Sequence, residues 1–343
     1  MSAIRRGVLM LKNVLFLLLA AMGLASALSY ARGGSSAMAD TAMDCSAIPK
    51  PGAEPATGLL PRPRREAPAP PPITAQAAVV VDAESGEVLW GLNEHERRAP
   101  ASTTKIMTGI LAIEAGDLDR VVTAEVDASQ MVGSSVMGLR PGVQITVRDL
   151  LYGLMLPSGN DAAVELARAV DGDIGRFVDR MNRKAAELGL RDTHFMNPHG
   201  LDKRDHFSSA HDLAMLGRYA MGNEMFRQVA GAQYWQLSPP SDYGLANGNT
   251  LLNPATGVDG VKIGWTGRAG WTFVASAVRD GRRLIVTVLN SQDRNADAGA
   301  LLDWAYASHD WIGVTPKMTM TLELARRMGV RDELMSSLSA CSA

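Results

Sequence analysis

Trp271–Asn290 reads WTFVASAVRDGRRLIVTVLN. Two apolar runs flank Asp280-Gly281, a pair suited to a tight turn with positive φ at both central positions. The stretch predicts a β-hairpin. A second hairpin is predicted far away, in Ala77–Asn93, AAVVVDAESGEVLWGLN, where Glu84-Ser85-Gly86 forms the turn cluster. Between the two the chain turns helical in period: KIMTGILAIEAG, TVRDLLYGLML, DAAVELARAV, IGRFVDRMNRKAAELG and SAHDLAMLGRYAM. After the second hairpin, ADAGALLDWAYAS reads as a closing helix. Strands at both ends with helices between them predict one sheet assembled from distant parts of the chain. The fold class is therefore an α/β (α+β) sandwich, a mainly antiparallel sheet flanked by helices, with a helical lobe.

Composition narrows the function classes. The chain has 343 residues, 46% hydrophobic and 20% charged, which allows a core of useful size. Its formal net charge of −2 supplies no basic field for nucleic acid. The two cysteines, Cys45 and Cys341, form no CxxC and no zinc spacing. They could pair across the intervening domain in an oxidising compartment, or stay free. His194, His199, His206 and His211 fit no standard zinc pattern, so neither a metal nor a cofactor is expected.

The ends carry other signals. Arg5, Arg6 and Lys12 precede an apolar stretch from Val14 to Leu28, and Ala25-Ser26-Ala27 offers small residues for cleavage. This reads as a secretory signal or an uncleaved signal-anchor over residues 1–31. Either places the rest outside the cytoplasm, with membrane association, if any, at the N-terminus. Residues 32–72 include PRPRREAPAPPP, which is unsuited to helix or sheet interior, and read as an extended spacer. A catalytic domain over residues 73–308 is expected to follow. The tail, residues 309–343, is short for a further domain.

Three short motifs could carry chemistry. Ser102-Thr103-Thr104-Lys105 would place Lys105 beside the Ser102 hydroxyl if a helix begins there, because i and i+3 share a face. Burial and a neighbouring cation would push that lysine toward its neutral form, so that it could activate the serine. Taken alone, Ser102 could equally be a helix cap and Lys105 a solvated lysine. Ser158-Gly159-Asn160 could relay a proton and hydrogen-bond a substrate backbone, or simply cap the next helix. In Lys262-Ile263-Gly264-Trp265-Thr266-Gly267, a lysine precedes glycines that admit a ligand to a strand edge. Trp265 reads as lining a cleft and Trp271 as packing.

Their joint order resembles the serine D-alanyl-D-alanine carboxypeptidase family, the low-molecular-mass penicillin-binding proteins of peptidase S11 type. The likeness runs from about Ala77 to Tyr306. It includes RRAPASTTKIMT, LLYGLMLPSGNDAA, THFMNPHGL, SSAHDLAMLGRYA and GVDGVKIGWTGRAGWTFVASA. The resemblance implies the penicillin-binding-protein/β-lactamase-like transpeptidase fold. It implies Ser102 as acylated nucleophile, Lys105 as its base, Ser158 as proton relay and Asn160 as positioning group. It also implies substrate binding by Lys262, Gly264, Trp265, Thr266 and Arg294, with the Ser102 and Trp265 N–H groups as oxyanion hole. The implied partners are peptidoglycan stem peptides ending in D-Ala-D-Ala and covalent β-lactam inhibitors.

One departure stands out. The family motif is usually Lys-Thr-Gly, and here Ile263 replaces the threonine. Losing one hydrogen bond to a charged carboxylate costs about 1.5–3 kcal/mol. Thr266 and Arg294 are expected to compensate in part. A DD-endopeptidase acting on cross-links and a catalytically weak wall-binding module are the alternatives. A β-lactamase would use the same Ser-Lys pair, but no glutamate signature for a deacylating base is present.

Overall fold

A computed structural model describes residues 58–314 except 240 and 242. The signal segment, most of the spacer, Cys45 and Cys341 lie outside the described residues. Among the described residues no helix is long and apolar enough to cross a membrane. The described residues divide into two units, Glu66–Asp310 and a smaller one that holds the described residues before and after it.

The strands in chain order are β1 Gly58–Pro63, β2 Ala77–Asp82, β3 Val88–Leu92, β4 Val121–Thr123, β5 Gln144–Thr146, β6 Tyr234–Gln236, β7 Gly244–Ala246, β8 Val258–Thr266, β9 Gly270–Arg279, β10 Arg282–Ser291 and β11 His309–Val314. The helices are α1 Lys105–Glu114, α2 Val147–Met155, α3 Asn160–Asp171, α4 Ile174–Glu187, α5 Ala210–Met221, α6 Glu224–Gly231 and α7 Arg294–Ser308.

The main sheet has the order β3-β2-β10-β9-β8. Both predicted hairpins are in it, and β2 pairs antiparallel with β10, from Ala77 opposite Leu289 to Asp82 opposite Leu284. Asp280 and Gly281 both take positive φ, as the turn between β9 and β10 requires. Every residue of β2 is buried, so this strand is covered on both faces. β8 lies at one edge, and that edge borders the site.

Helices α1 to α4 form the lobe. Each amphipathic run places its apolar face in a core that includes Ile106, Leu150, Leu154, Leu166, Phe177 and Met181. Thr146, Asp173, Ser209 and Asn223 cap α2, α4, α5 and α6 with side chains that accept a backbone N–H of the first turn.

The boundaries differ from the reading of the sequence. The spacer's last residues belong to structure: Trp304 Nε1 donates to the Pro68 carbonyl at 2.8 Å. The compact unit accordingly begins at Glu66 rather than Ile73. β1, with its prolines, pairs only with β11, and a two-stranded ladder has no interior position for proline to break.

Candidate active site

The geometry starts with a strained turn. Ala101 is fully buried and holds φ +52, a left-handed value that costs a β-carbon residue about 1–2 kcal/mol. Ala101–Thr104 then make one 3-10 turn that runs into α1 at Lys105. Thr103 and Thr272 both donate to the Pro100 carbonyl, at 2.7 and 3.1 Å, and pin the turn from two sides.

Lys105 is completely buried. Its Nζ has three partners: Ser102 Oγ at 2.8 Å, Asn160 Oδ1 at 2.7 Å and the His199 carbonyl at 2.8 Å. Burial, and then the Lys262 charge, hold its pKa well below the usual lysine range, against the pull of Asp161. A neutral amine has two N–H bonds and one lone pair. Asn160 Oδ1 and the His199 carbonyl can only accept, so they take the two N–H bonds. In the neutral form the lone pair is thus left facing Ser102, the one partner of the three with a proton to give. The arrangement is a serine with its base already in hydrogen-bond contact.

Each acceptor is itself fixed. Asn160 opens α3, and its N–H donates to the Ser135 carbonyl at 2.8 Å. The next residue, buried Asp161, accepts from the N–H groups of Met137, Gly138, Leu139 and Ala162 at 2.9–3.0 Å. It thereby sews the preceding loop to the start of α3. The His199 carbonyl is presented by a turn in which Asn197 Oδ1 accepts from His199 and Gly200, while Thr108 holds the Pro198 carbonyl. Gly200 sits at φ +91, and a Cβ there would fall 1.8 Å from the Ala101 carbonyl oxygen, so only glycine fits. The His199 ring is driven to a pKa of about 3, chiefly by burial, and stays neutral. His206, lowered to about 4 by burial, accepts from Met196 at Nδ1, which leaves Nε2–H to donate to Thr104 Oγ1.

Ser158 lies two residues before Asn160 and also has a left-handed φ, +65. Its buried Oγ has no hydrogen-bond partner among the described residues.

β8 makes the opposite wall. A Cβ at Gly264 would lie 2.8 Å from the Ser102 nitrogen and 2.5 Å from Thr272 Oγ1, so glycine lets the strand close on the nucleophile's turn. This sets the Ser102 N–H beside the free edge of β8, which next carries the Trp265 N–H. These two donors form the candidate oxyanion hole, and such a donor contributes roughly 2.7–4 kcal/mol to the barrier reduction. Lys262 is buried, with Nζ 3.1 Å from the Ile263 carbonyl, and burial together with Arg294 brings it to a pKa of about 7. Arg294 opens α7, donates to the Gly264 carbonyl at 3.2 Å and lies 4.4 Å over the Trp271 ring.

Two expectations need correcting. Thr266 does not stand in for the missing hydroxyl. Its Oγ1 donates to Asp202 at 2.8 Å and accepts from Ala269, and the residue is buried, so it ties down the β8–β9 turn. Trp271 is no core residue. It is 42% exposed, next to Trp265 at 56%, with ring centroids 5.9 Å apart. The roles of Asp161 and of the His199 carbonyl were not anticipated. The Asn-Pro-His-Gly turn was the only sequence signal for the second.

Comparison with known proteins agrees with this geometry. Residues 64–293 match the family described as D-alanyl-D-alanine carboxypeptidase. D-alanyl-D-alanine carboxypeptidase DacF of Bacillus subtilis (strain 168) is 39% identical over 247 residues, 69% of this chain and 63% of that protein. The chain thus spans less than two thirds of that relative's length. Among solved structures, D-alanyl-D-alanine carboxypeptidase from Mycobacterium tuberculosis H37Rv is similar with a TM-score of 0.66 and 35% identity, covering 75% of this chain and 97% of that one. Penicillin binding protein 6B from Escherichia coli gives 0.67 and 35%, covering 75% and 88%. With its serine, buried lysine and edge strand in the order that the sequence motifs share, this chain belongs to the D-alanyl-D-alanine carboxypeptidase family.

Proposed function

We propose that this protein is a serine DD-carboxypeptidase that removes the terminal D-Ala from peptidoglycan stem peptides through an acyl-enzyme. The observation that carries the reading is the contact of Lys105 Nζ with Ser102 Oγ, with both other Nζ positions occupied by acceptors. Ser102 Oγ attacks the carbonyl carbon of the penultimate D-Ala, and its proton passes to Lys105. The oxyanion is held by the Ser102 and Trp265 N–H groups. As the C–N bond breaks, the leaving amine takes a proton by way of Ser158, and Lys262 with Arg294 holds the departing carboxylate. Water then attacks the ester with Lys105 as base, which frees Ser102 and the shortened peptide. β-Lactams would acylate the same serine.

The intact network favours an enzyme over an inert wall-binding module. Ile263 favours one second reading, a DD-endopeptidase whose scissile D-Ala carries no free carboxylate. The N-terminal signal supports a site of action outside the cytoplasm, in cell-wall maturation. The test is release of free D-alanine from diacetyl-L-lysyl-D-Ala-D-Ala by the purified protein. The expected result is release that Ser102→Ala abolishes. Release unchanged in Ser102→Ala, or none from the native protein, would contradict the carboxypeptidase reading.

A further inference from the structure

Ile263, Trp265 and Trp271 stand together where β8 meets β9. In the register of the two strands Trp265 is directly opposite Trp271, and Ile263 follows on the same face two residues earlier. Both indoles are substantially exposed and Ile263 is half-buried, so the three present an apolar surface at the site. Ile263 faces the Asn247–Asn249 segment, where a Cβ on Gly248 would lie 3.3 Å from its Cδ1. The absence of a side chain at Gly248 keeps that flank low. Beside the surface is a cation with donors to spare. The Arg294 guanidinium has five N–H donors, of which Nη1 holds the Gly264 carbonyl, and Trp271 fixes its plane from below.

This combination has a chemical reading. A peptide along the free edge of β8 puts its scissile carbonyl by the Ser102 N–H. The free carboxylate of its last residue goes to the open N–H groups of Arg294, with Lys262 behind them. The side chain of that last residue then meets Ile263 and the indoles. A methyl group covers little of such a surface, and a longer hydrocarbon arm covers much more of it.

Resting on the carboxypeptidase reading, we infer that Ile263, Trp265 and Trp271 form a leaving-residue subsite that selects terminal D-residues with side chains larger than alanine's, aliphatic or aromatic. Ile263 is then a determinant of specificity, and the loss of the threonine hydroxyl is matched by apolar contact with the residue that leaves.

The experiment compares diacetyl-L-lysyl-D-Ala-D-Leu with diacetyl-L-lysyl-D-Ala-D-Ala. Both give the same acyl-enzyme, so the ratio of their kcat/KM values reports the leaving residue alone. The D-Leu peptide is expected to be favoured by at least about fivefold. Trp265→Ala should bring the ratio to near 1, while any general loss of acylation cancels in it. A native ratio at or below 1, or one that Trp265→Ala leaves unchanged, overturns the subsite. Equilibrium binding of the same peptides to Ser102→Ala, read by tryptophan fluorescence, separates this from the reaction itself. Tighter binding of the D-Leu peptide without turnover by the native protein would strike the carboxypeptidase reading and sustain the subsite. Equal or weaker binding would overturn the subsite even if D-alanine is released.

Discussion

The two walls of the cleft are built on opposite terms. On the lobe side, Lys105 is sealed from solvent and held by three partners, and the turn or helix that carries each acceptor is itself held. On the β8 side, Trp265 and Trp271 are open to solvent, Ile263 is half-open and Arg294 makes one hydrogen bond. In the proposed reaction the first wall holds the groups that transfer the proton. The second is the wall that the proposed substrate's last residue would meet, and its side chains make none of the contacts to Lys105. Ile263 belongs to this second wall: it sits between Lys262 and Gly264, and neither the Lys105 network nor the approach of β8 to Ser102 depends on its side chain.

The sharpest way to break this contrast is in the lobe. Lys105→Met should keep the fold, since an unbranched apolar chain suits the buried space, yet remove the base. Acylation of Ser102 by a fluorescent penicillin should fall at least about 10⁴-fold. A loss of less than tenfold would show that another group deprotonates Ser102. Gly200→Ala strikes the same wall without touching a reacting side chain. The new Cβ would collide with the Ala101 carbonyl and push the His199 carbonyl from Lys105. A loss of about 2–4 kcal/mol in urea unfolding, with slower acylation, is expected. Stability within 0.5 kcal/mol of native would mean the turn yields freely.

On the β8 side the effects should be smaller and directed at substrate. Ile263→Thr restores the hydroxyl of the family motif and, as an added donor to the substrate carboxylate, should raise kcat/KM for the D-Ala-D-Ala peptide about tenfold. The D-Ala-D-Ala amide, which has no free carboxylate, should gain far less, and an equal gain for both would contradict the assignment of this wall to carboxylate binding. The finest test is of pH. Burial and Arg294 bring Lys262 to a pKa of about 7, so its charge is present below that pH and lost as pH rises through it. Arg294→Gln removes a positive neighbour and must raise the Lys262 pKa. The alkaline limb of kcat/KM should move to higher pH, beneath a lower maximum. A limb that stays in place would show that it belongs to another group.

Much of this was legible because it is local. Hairpins, helices and Ser-x-x-Lys are written in periods of two and 3.6 and in an i, i+3 step, and the sequence carries those directly. The short pairs β4–β5 and β6–β7 were not read, nor was eight-residue α6. Each has too few residues for a period to show. The site's unread parts are of another kind. The His199 carbonyl is a backbone atom with no side-chain signature. The role of Asp161 depends on a loop folding back from Met137, and the tie of Thr266 to Asp202 joins residues far apart in the chain. The exposure of Trp271 follows from its place beside the edge strand and under Arg294, a long-range outcome that its own neighbours in sequence do not encode.

The central claim is that Lys105 rests as a neutral amine with its lone pair on Ser102. NMR titration of the protein labelled with ¹³C at lysine Cε measures this directly, the Lys105 signal being identified by its loss in Lys105→Met. At pH 8 the account predicts one lysine signal at the neutral-amine position that is absent from the Lys105→Met spectrum. A Lys105 signal that remains that of an ammonium at pH 8 and titrates near 10.5, the ordinary lysine value, would contradict it.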